Sequence, residues 1–162
     1  MKENSKKFIF YVIVIVVSII TFYLVVNTVY INFNSYSKGL VHWHADLEIM
    51  ICGKEVELEK SESFFSNKVG IPEVHHHGDM RIHIEGVVNK REEATLGYFF
   101  DSINEDFTNE SILNHKNGEL CNGKPGKLRM FVNDKENFEF RNYEIKHYID
   151  VPPGDKIKFV FE

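Results

Sequence analysis

Residues 41–51 read VHWHADLEIMI, a stretch in which two kinds of side chain alternate. Successive residues of an extended chain point to opposite faces, so the pattern predicts a β-strand with one buried face and one polar face. The apolar set is Val41, Trp43, Ala45, Leu47, Ile49 and Ile51. The other set, which is mainly polar, is His42, His44, Asp46, Glu48 and Met50. The stretch therefore predicts the start of a β domain whose polar face carries two histidines.

The chain after this strand predicts an α+β domain. Gly53 and Lys54 are typical of a hairpin turn. Further strands are predicted over residues 55–58, 80–85, 128–132, 137–141, 146–151 and 156–161. One helix is well marked, because a Thr95 N-cap precedes apolar residues at helical spacing, namely Leu96, Phe99, Phe100 and Ile103. A short helical turn after Thr108 and a loop over residues 114–127 are also predicted. Strands on both sides of a helix favour a small, mainly antiparallel domain, either β-grasp-like or sandwich-like.

The N-terminal part of the chain predicts a membrane helix. Residues 8–26 read FIFYVIVIVVSIITFYLVV, close to the roughly 20 apolar residues that cross a bilayer as a helix. Lys2, Lys6 and Lys7 precede this stretch, and no Lys or Arg follows it before Lys38. Because positive charge stays on the cytoplasmic side, the N-terminus is predicted inside and the following domain outside.

These features divide the chain into an anchor, a spacer and a domain. Residues 1–30 are predicted to form a cytoplasmic tip and a transmembrane signal anchor, which contacts the lipid bilayer through residues 8–29 and makes this a single-pass protein of the cell membrane. Residues 31–40 are predicted as a spacer, and residues 41–162 as an extracytoplasmic, His-rich α+β domain. A cleaved signal peptide is the alternative, but its apolar region would be shorter, and residues 26–30 offer no small-residue cleavage site.

Composition argues against some classes of function. Three basic residues and one acidic residue lie before residue 31, so residues 31–162 keep 16 Lys and Arg against 23 Asp and Glu. This acidic surface repels phosphate and carries no basic stripe, so nucleic-acid binding is not expected. The length suits one modest core. Cys52 and Cys121 belong to no CxxC pair, and outside the cytoplasm we expect either one disulfide or two separate buried thiols.

Six of the eight histidines lie between residues 42 and 83 and predict a metal site. Residues i and i+2 of a strand share a face, so HxH and HxE pairs can direct their side chains to one ion. The predicted ligands are His42, His44, His75, His77, His83 and Glu85. His76 is a weaker candidate because it points away from its neighbours in extended chain, and His115 and His147 are expected to be ordinary hydrogen-bonding or surface residues. Imidazole and carboxylate ligands, without a Cys cluster, suit Zn²⁺, Cu²⁺, Fe²⁺ or Ni²⁺, and the predicted ion is copper or zinc.

The predicted site depends on strand pairing. If residues 41–51 and 80–85 form neighbouring strands, their histidines meet on one sheet surface, and residues 75–77 reach that surface from the connecting loop. The carboxylates expected to orient the imidazoles through their outer N–H groups are Asp46, Glu48 and Asp79.

Several short motifs occur in a fixed order along the domain: His42-Trp43-His44-Ala45, His75-x-His77, Ile82-His83-Ile84-Glu85, Thr95-Leu96-Gly97-x-Phe99-Phe100 and Val132-Asn133. In this order the sequence resembles a family of uncharacterised membrane-anchored or secreted bacterial and archaeal domains that open with HWHA. It departs from the family pattern in the triplet centred on His76 and in Asp134, where the hairpin usually has Gly. The resemblance implies an extracytoplasmic single domain with a shared histidine site and no assigned activity.

Three functions are compatible with these features. The leading hypothesis is capture of copper or zinc, or its delivery to a membrane-protein or metallochaperone partner, by a domain that is not an enzyme. The alternative is a metal-dependent enzyme of hydrolase type, in which Glu85 acts as general base toward a metal-bound water. The third is a non-catalytic interaction subunit of an envelope complex, whose histidines only form hydrogen bonds. The sequence shows no nucleophile motif, phosphate-binding loop or hydrolase signature that would favour the enzyme.

Overall fold

The structure is a computed structural model that describes residues 2–145 and 154–162. Helix α1 spans Lys2–Asn34 and helix α2 spans Leu96–Ser102, and 3-10 helices lie over Arg91–Ala94 and Phe140–Asn142. The strands are β1 Leu40–Ile51, β2 Lys54–Glu55, β3 Val69–Gly70, β4 Val74–His76, β5 Arg81–Val87, β6 Ser111–Ile112, β7 His115–Lys116, β8 Leu120–Cys121, β9 Lys124–Pro125, β10 Leu128–Val132, β11 Lys135–Asn137 and β12 Asp155–Phe161. The chain is therefore α+β, as predicted.

Eight strands form one sheet around β1. The strand order is β11-β10-β12-β1-β5-β4-β3, and β2 pairs with the C-terminal end of β1. Strands β1 and β12 are parallel, whereas β1 and β5, β4 and β5, and β10 and β12 are antiparallel. The prediction of a mainly antiparallel domain is confirmed. The order, which the sequence left open, puts β5 between β1 and β4.

One face of the sheet carries the core. Five of the six apolar residues predicted to share a face of β1 are buried. The predicted helix α2 packs against this face, and Phe100 contacts Phe159 of β12 with 5.9 Å between ring centroids. The Thr95 hydroxyl caps the helix by accepting the N–H of Tyr98, as expected for an N-cap threonine. The opposite face of the sheet carries most of its charged side chains, together with the histidines of β1 and β5 and His75 of β4.

Helix α1 is long and apolar enough to cross a membrane over Asn4–Asn34. Its large apolar side chains are largely exposed, so they contribute little to the domain core. A signal sequence or an apolar core helix meets the same criteria of length and composition. The helix extends four residues into the predicted spacer. In residues 35–39, the part of the predicted spacer that lies between α1 and β1, the N–H groups of Tyr36 and Ser37 donate to the carbonyls of Asn89 and Val88.

Of four further predicted segments, three differ from the structure and one lies outside the described residues. The prediction of a helical turn after Thr108 is wrong, because β6 lies there and pairs with β7. The segment predicted as a loop over residues 114–127 contains β7 and the β8–β9 hairpin. The strand predicted over residues 137–141 is also wrong. Phe140 has a φ of 45°, which interrupts extended backbone, and a 3-10 helix begins at this residue. The strand predicted over residues 146–151 lies outside the described residues.

A disulfide joins the end of β1 to the β8–β9 hairpin. Cys52 directly follows β1, and Cys121 is the last residue of β8. Their Cα atoms are 5.3 Å apart and their sequence separation is 69 residues. Of the two alternatives that the sequence left open, the structure has the disulfide rather than two free thiols.

Candidate metal centre

Three neighbouring strands bring the predicted histidines onto one surface of the sheet. In the register of β1 with β5, His44 lies opposite His83 and His42 lies opposite Glu85. In the register of β4 with β5, His75 also lies opposite His83. His75 therefore belongs to the sheet itself. The prediction that it reaches this surface from a connecting loop is wrong. The predicted site depended on the pairing of the strands that carry His44 and His83, and the structure has this pairing.

The imidazoles surround His83. The distances from its ring centroid are 4.6 Å to His44, 4.7 Å to His77, 5.4 Å to His75 and 6.1 Å to His42. The Nε2 atoms of His42 and His44 are 3.0 Å apart. Two nitrogens bound tetrahedrally to one zinc ion are about 3.3 Å apart, given Zn–N bonds of roughly 2 Å. This pair therefore already has nearly the spacing that a shared ion requires.

The donor nitrogens form two overlapping groups. Those of His42, His44 and His83 lie within 4.8 Å of one another, and so do those of His75, His77 and His83. Each group contains three imidazoles, which is enough to hold a transition metal with a position left for water or another ligand. The histidine groups could therefore bind metal ions.

Exposure falls steeply across the cluster. The side chain of His42 is 60% exposed, that of His83 is 12% exposed and that of His75 is fully buried. Both ring nitrogens of His75 and of His83 are buried without a well-formed hydrogen bond. Burying a polar group without a partner costs about 1–3 kcal/mol, so native structures rarely do so without a reason.

Burial keeps the imidazoles of His44, His75 and His83 neutral. It lowers the pKa of His83 to about 4, and the neighbouring His44 acts in the same direction. Burial also lowers the pKa of His44 and that of His75, assisted by the charges of His42 and Lys68, respectively. Metal binding requires the neutral imidazole, whose unprotonated nitrogen has a free lone pair. These three side chains are therefore in the form that binds metals at neutral pH.

Glu85 lies at the edge of the cluster. Its Oε1 is 3.1 Å from Nε2 of His42, and its Oε2 accepts a hydrogen bond from Nζ of Lys68 at 3.0 Å. The hydrogen bond from Lys68 lowers the pKa of Glu85, so the carboxylate is ionised. Glu85 is not a member of either histidine group, and the ion pair with Lys68 engages one of its two oxygens.

The carboxylates predicted to orient the imidazoles behave differently from one another. Asp79 lies close to the cluster, because its Oδ2 is 3.6 Å from Nε2 of His83. Asp46 instead pairs with Arg81 at 2.7 Å, and Glu48 pairs with Lys158 at 2.7 Å. A cationic side chain of a neighbouring strand thus engages one oxygen of each of these two carboxylates, and their role toward the imidazoles stays a prediction.

The chain matches no protein-family model, no curated protein and no solved structure. The resemblance to the HWHA domains thus stays a prediction from the motifs. Function is therefore inferred from the geometry of the histidine cluster.

Two further residues of the site were missed by sequence reasoning. Asn67 and Lys68 lie between β2 and β3, and Oδ1 of Asn67 is 3.0 Å from Nδ1 of His77. An Nδ1–H that donates to this oxygen leaves Nε2 of His77 free for a metal. No signal marks these two residues in the sequence, because the segment that carries them is rich in polar residues of similar kind.

The other histidines of the described chain lie apart from the cluster. His76 faces the core, where its ring lies 6.1 Å from that of Phe99 and its Nδ1 accepts the N–H of Gly78. The expectation that it points away from its two neighbours is confirmed. His115 lies on β7, beside a glutamate carboxylate at 3.6 Å. His147 lies outside the described residues.

Proposed function

We propose that the domain binds a transition metal ion, copper or zinc, through the histidine cluster, and captures the ion outside the cytoplasm or delivers it to a membrane-protein or metallochaperone partner. The observation that carries the proposal is the burial of the ring nitrogens of His75 and His83 without a well-formed hydrogen bond. The proposed ligands are His42, His44, His75, His77 and His83, with Glu85 as an accessory ligand.

Hydrogen bonding alone does not account for these buried nitrogens. A neutral imidazole has one N–H donor and one lone-pair acceptor, and in His75 and His83 neither has a well-formed partner. At about 1–3 kcal/mol for each unsatisfied group, the penalty is a large fraction of the stability of a small domain. Coordination to a metal uses the lone pair and offsets this penalty. The buried nitrogens therefore favour metal binding over an interaction subunit whose histidines only form hydrogen bonds.

The exposed end of the cluster favours exchange of the ion. His42 is mostly exposed and His44 is partly exposed, so an ion can enter or leave there without unfolding of the buried end. Ligands that a partner can reach are what capture and delivery require. We therefore expect His42 and His44 to be the first contacts of an incoming ion.

Two observations disfavour the enzyme alternative. Lys68 lowers the pKa of Glu85, which makes this carboxylate a weaker general base at neutral pH. In addition, the five clustered histidines line neither the cavity of about 360 Å³ that borders Val74 and Ile84 on the core face nor the cavity of about 470 Å³ that borders Asp46 and Glu48 on the polar face.

The proposed location rests on helix α1 and on the disulfide. The helix is long and apolar enough to insert into a bilayer, and the three lysines at its N-terminal end favour a cytoplasmic N-terminus. A disulfide between Cys52 and Cys121 is typical of oxidising compartments and therefore supports a domain outside the cytoplasm. We propose a single-pass, signal-anchored protein of the cell membrane on these grounds.

We also propose that the domain is β-grasp-like rather than sandwich-like. The longer strands follow the order β5-β1-β12-β10, with the parallel pair at the centre, and helix α2 lies on the chain between β5 and β10. A sandwich would need two sheets packed face to face. The core face of this sheet instead receives helix α2.

Elemental analysis of the full chain, purified in detergent without a His tag, tests the metal proposal. We expect copper or zinc at one or more ions per chain in the parent, reduced in the His42→Ala/His44→Ala double variant and unchanged in the matched control His115→Ala. An added ion at 100 times its Kd should stabilise the fold by about 2.7 kcal/mol. A parent that retains neither metal, and whose Tm does not rise when either is added, would overturn the proposal and favour the envelope-complex alternative.

A further inference from the structure

The histidine cluster contains two candidate ligand groups that share one residue. One group combines His83 with His42 and His44, and the other combines His83 with His75 and His77. Among the described residues, the donors form these two overlapping groups of three rather than one group of five. A single ion placed in either group would therefore leave two imidazoles of the other group without a bond to it.

His83 occupies the middle because its strand does. Strand β5 lies between β1 and β4, and His83 is opposite His44 in one register and opposite His75 in the other. Its ring centroid is almost equally far from that of His44, at 4.6 Å, and that of His77, at 4.7 Å. Both of its ring nitrogens are buried without a well-formed hydrogen bond, and the carboxylate oxygen Oδ2 of Asp79 lies 3.6 Å from its Nε2. Both are therefore available as donors, one on each side of the ring.

We infer that the cluster holds two metal ions bridged by the imidazole ring of His83. One ion is bound by His42, His44 and one ring nitrogen of His83, and the other by His75, His77 and the second ring nitrogen. The ion that binds second replaces the remaining ring N–H proton, which is released to solvent, and no electron is transferred. This inference rests on the proposed function, because it requires that the cluster bind metal at all.

A carboxylate lies beside each half of the cluster. Oε1 of Glu85 is 3.1 Å from Nε2 of His42, on the first group. Asp79 accepts the backbone N–H of His77 through Oδ1, and its Oδ2 lies 3.6 Å from Nε2 of His83, on the second group. Two divalent ions would concentrate positive charge in a partly buried site. The two carboxylates and the deprotonated bridging ring offset part of that charge.

Copper(II) titration of the full chain in detergent, after removal of bound metal with a chelator, tests this inference. We expect two copper ions per chain. Electron paramagnetic resonance at low temperature should show an intensity well below two spins, because ions joined through one aromatic ring couple magnetically. The His42→Ala/His44→Ala variant and the His77→Ala variant should each bind one ion with an uncoupled, one-spin signal. His83→Ala should lose the coupled signal, and His115→Ala should behave like the parent.

The outcomes separate this inference from the function on which it rests. One copper ion per parent chain would overturn the bridge and leave the proposed metal binding intact. Two ions with the full two-spin signal would also overturn the bridge. Absence of any copper or zinc binding would overturn both. Because stoichiometry and spin coupling are measured on the unsubstituted chain, a variant that fails to fold does not remove the test.

Discussion

Acid should destabilise the metal-free domain through His83. Burial lowers the pKa of this imidazole from 6.5 to about 4 in the folded chain. As the pH falls below 6.5, the unfolded imidazole takes up a proton and the folded one does not, so the equilibrium shifts toward the unfolded state until the folded imidazole also protonates near pH 4. These two pKa values correspond to a loss of about 2 kcal/mol between pH 7 and pH 5. The loss approaches about 3 kcal/mol at still lower pH.

Urea unfolding of the chelated full chain in detergent measures this loss. The single tryptophan, Trp43, is buried in β1 and reports unfolding of the domain by fluorescence. We expect the parent to lose about 2 kcal/mol more than His83→Gln between pH 7 and pH 5, since glutamine does not titrate. His115→Gln, at a partly exposed histidine outside the cluster, serves as the control. Equal losses in the parent and His83→Gln would refute the reasoning that His83 is held neutral by burial.

Three further predictions concern the stability of the domain. Replacing both Cys52 and Cys121 with alanine should lower the free energy of unfolding by about 4 kcal/mol, because their 69-residue separation is no longer closed in the unfolded chain, and urea titration of the variant checks this. Gly154→Ala adds a Cβ that overlaps the carbonyl oxygen of His44 at a φ of +108°, so it should cost at least about 2 kcal/mol and also weaken metal uptake. An unchanged Tm would contradict that overlap. Tyr143→Phe removes the 2.6 Å hydrogen bond from the Tyr143 hydroxyl to the buried carboxyl group of Asp155. It should lower the free energy of unfolding, measured by urea titration, by about 2 kcal/mol.

Local patterns predicted several elements of the fold. The alternation over residues 41–51 predicted β1 and the side on which its histidines lie, and helical spacing after Thr95 predicted α2 with its cap. A prediction failed where the alternation of side chains indicated a strand but the backbone forms a turn. Residues 137–141 have some strand-like character, but the left-handed backbone of Phe140 ends the extended chain.

The candidate site could be predicted in part. Five of the six proposed ligands are histidines that the structure brings together, because HxH spacing on a strand is a local property. The environment of the sixth, Glu85, was not foreseen, since Lys68 reaches it from a separate segment. The prediction that His42, His44 and His83 lie on a polar face was correct for direction, yet His75, which lies opposite His83, is fully buried.

The sequence by itself determined the features that depend on neighbouring residues: an apolar N-terminal helix, strands with one polar face, a capped helix and histidines spaced to share a side. Only the tertiary structure decided that β5 lies between β1 and β4, that His83 is the shared centre of two histidine groups, and that Cys52 meets Cys121. The reason is physical. Periodicity of side chains is set by the backbone of one segment, whereas strand order, register and burial follow from contacts between segments that are distant in the chain.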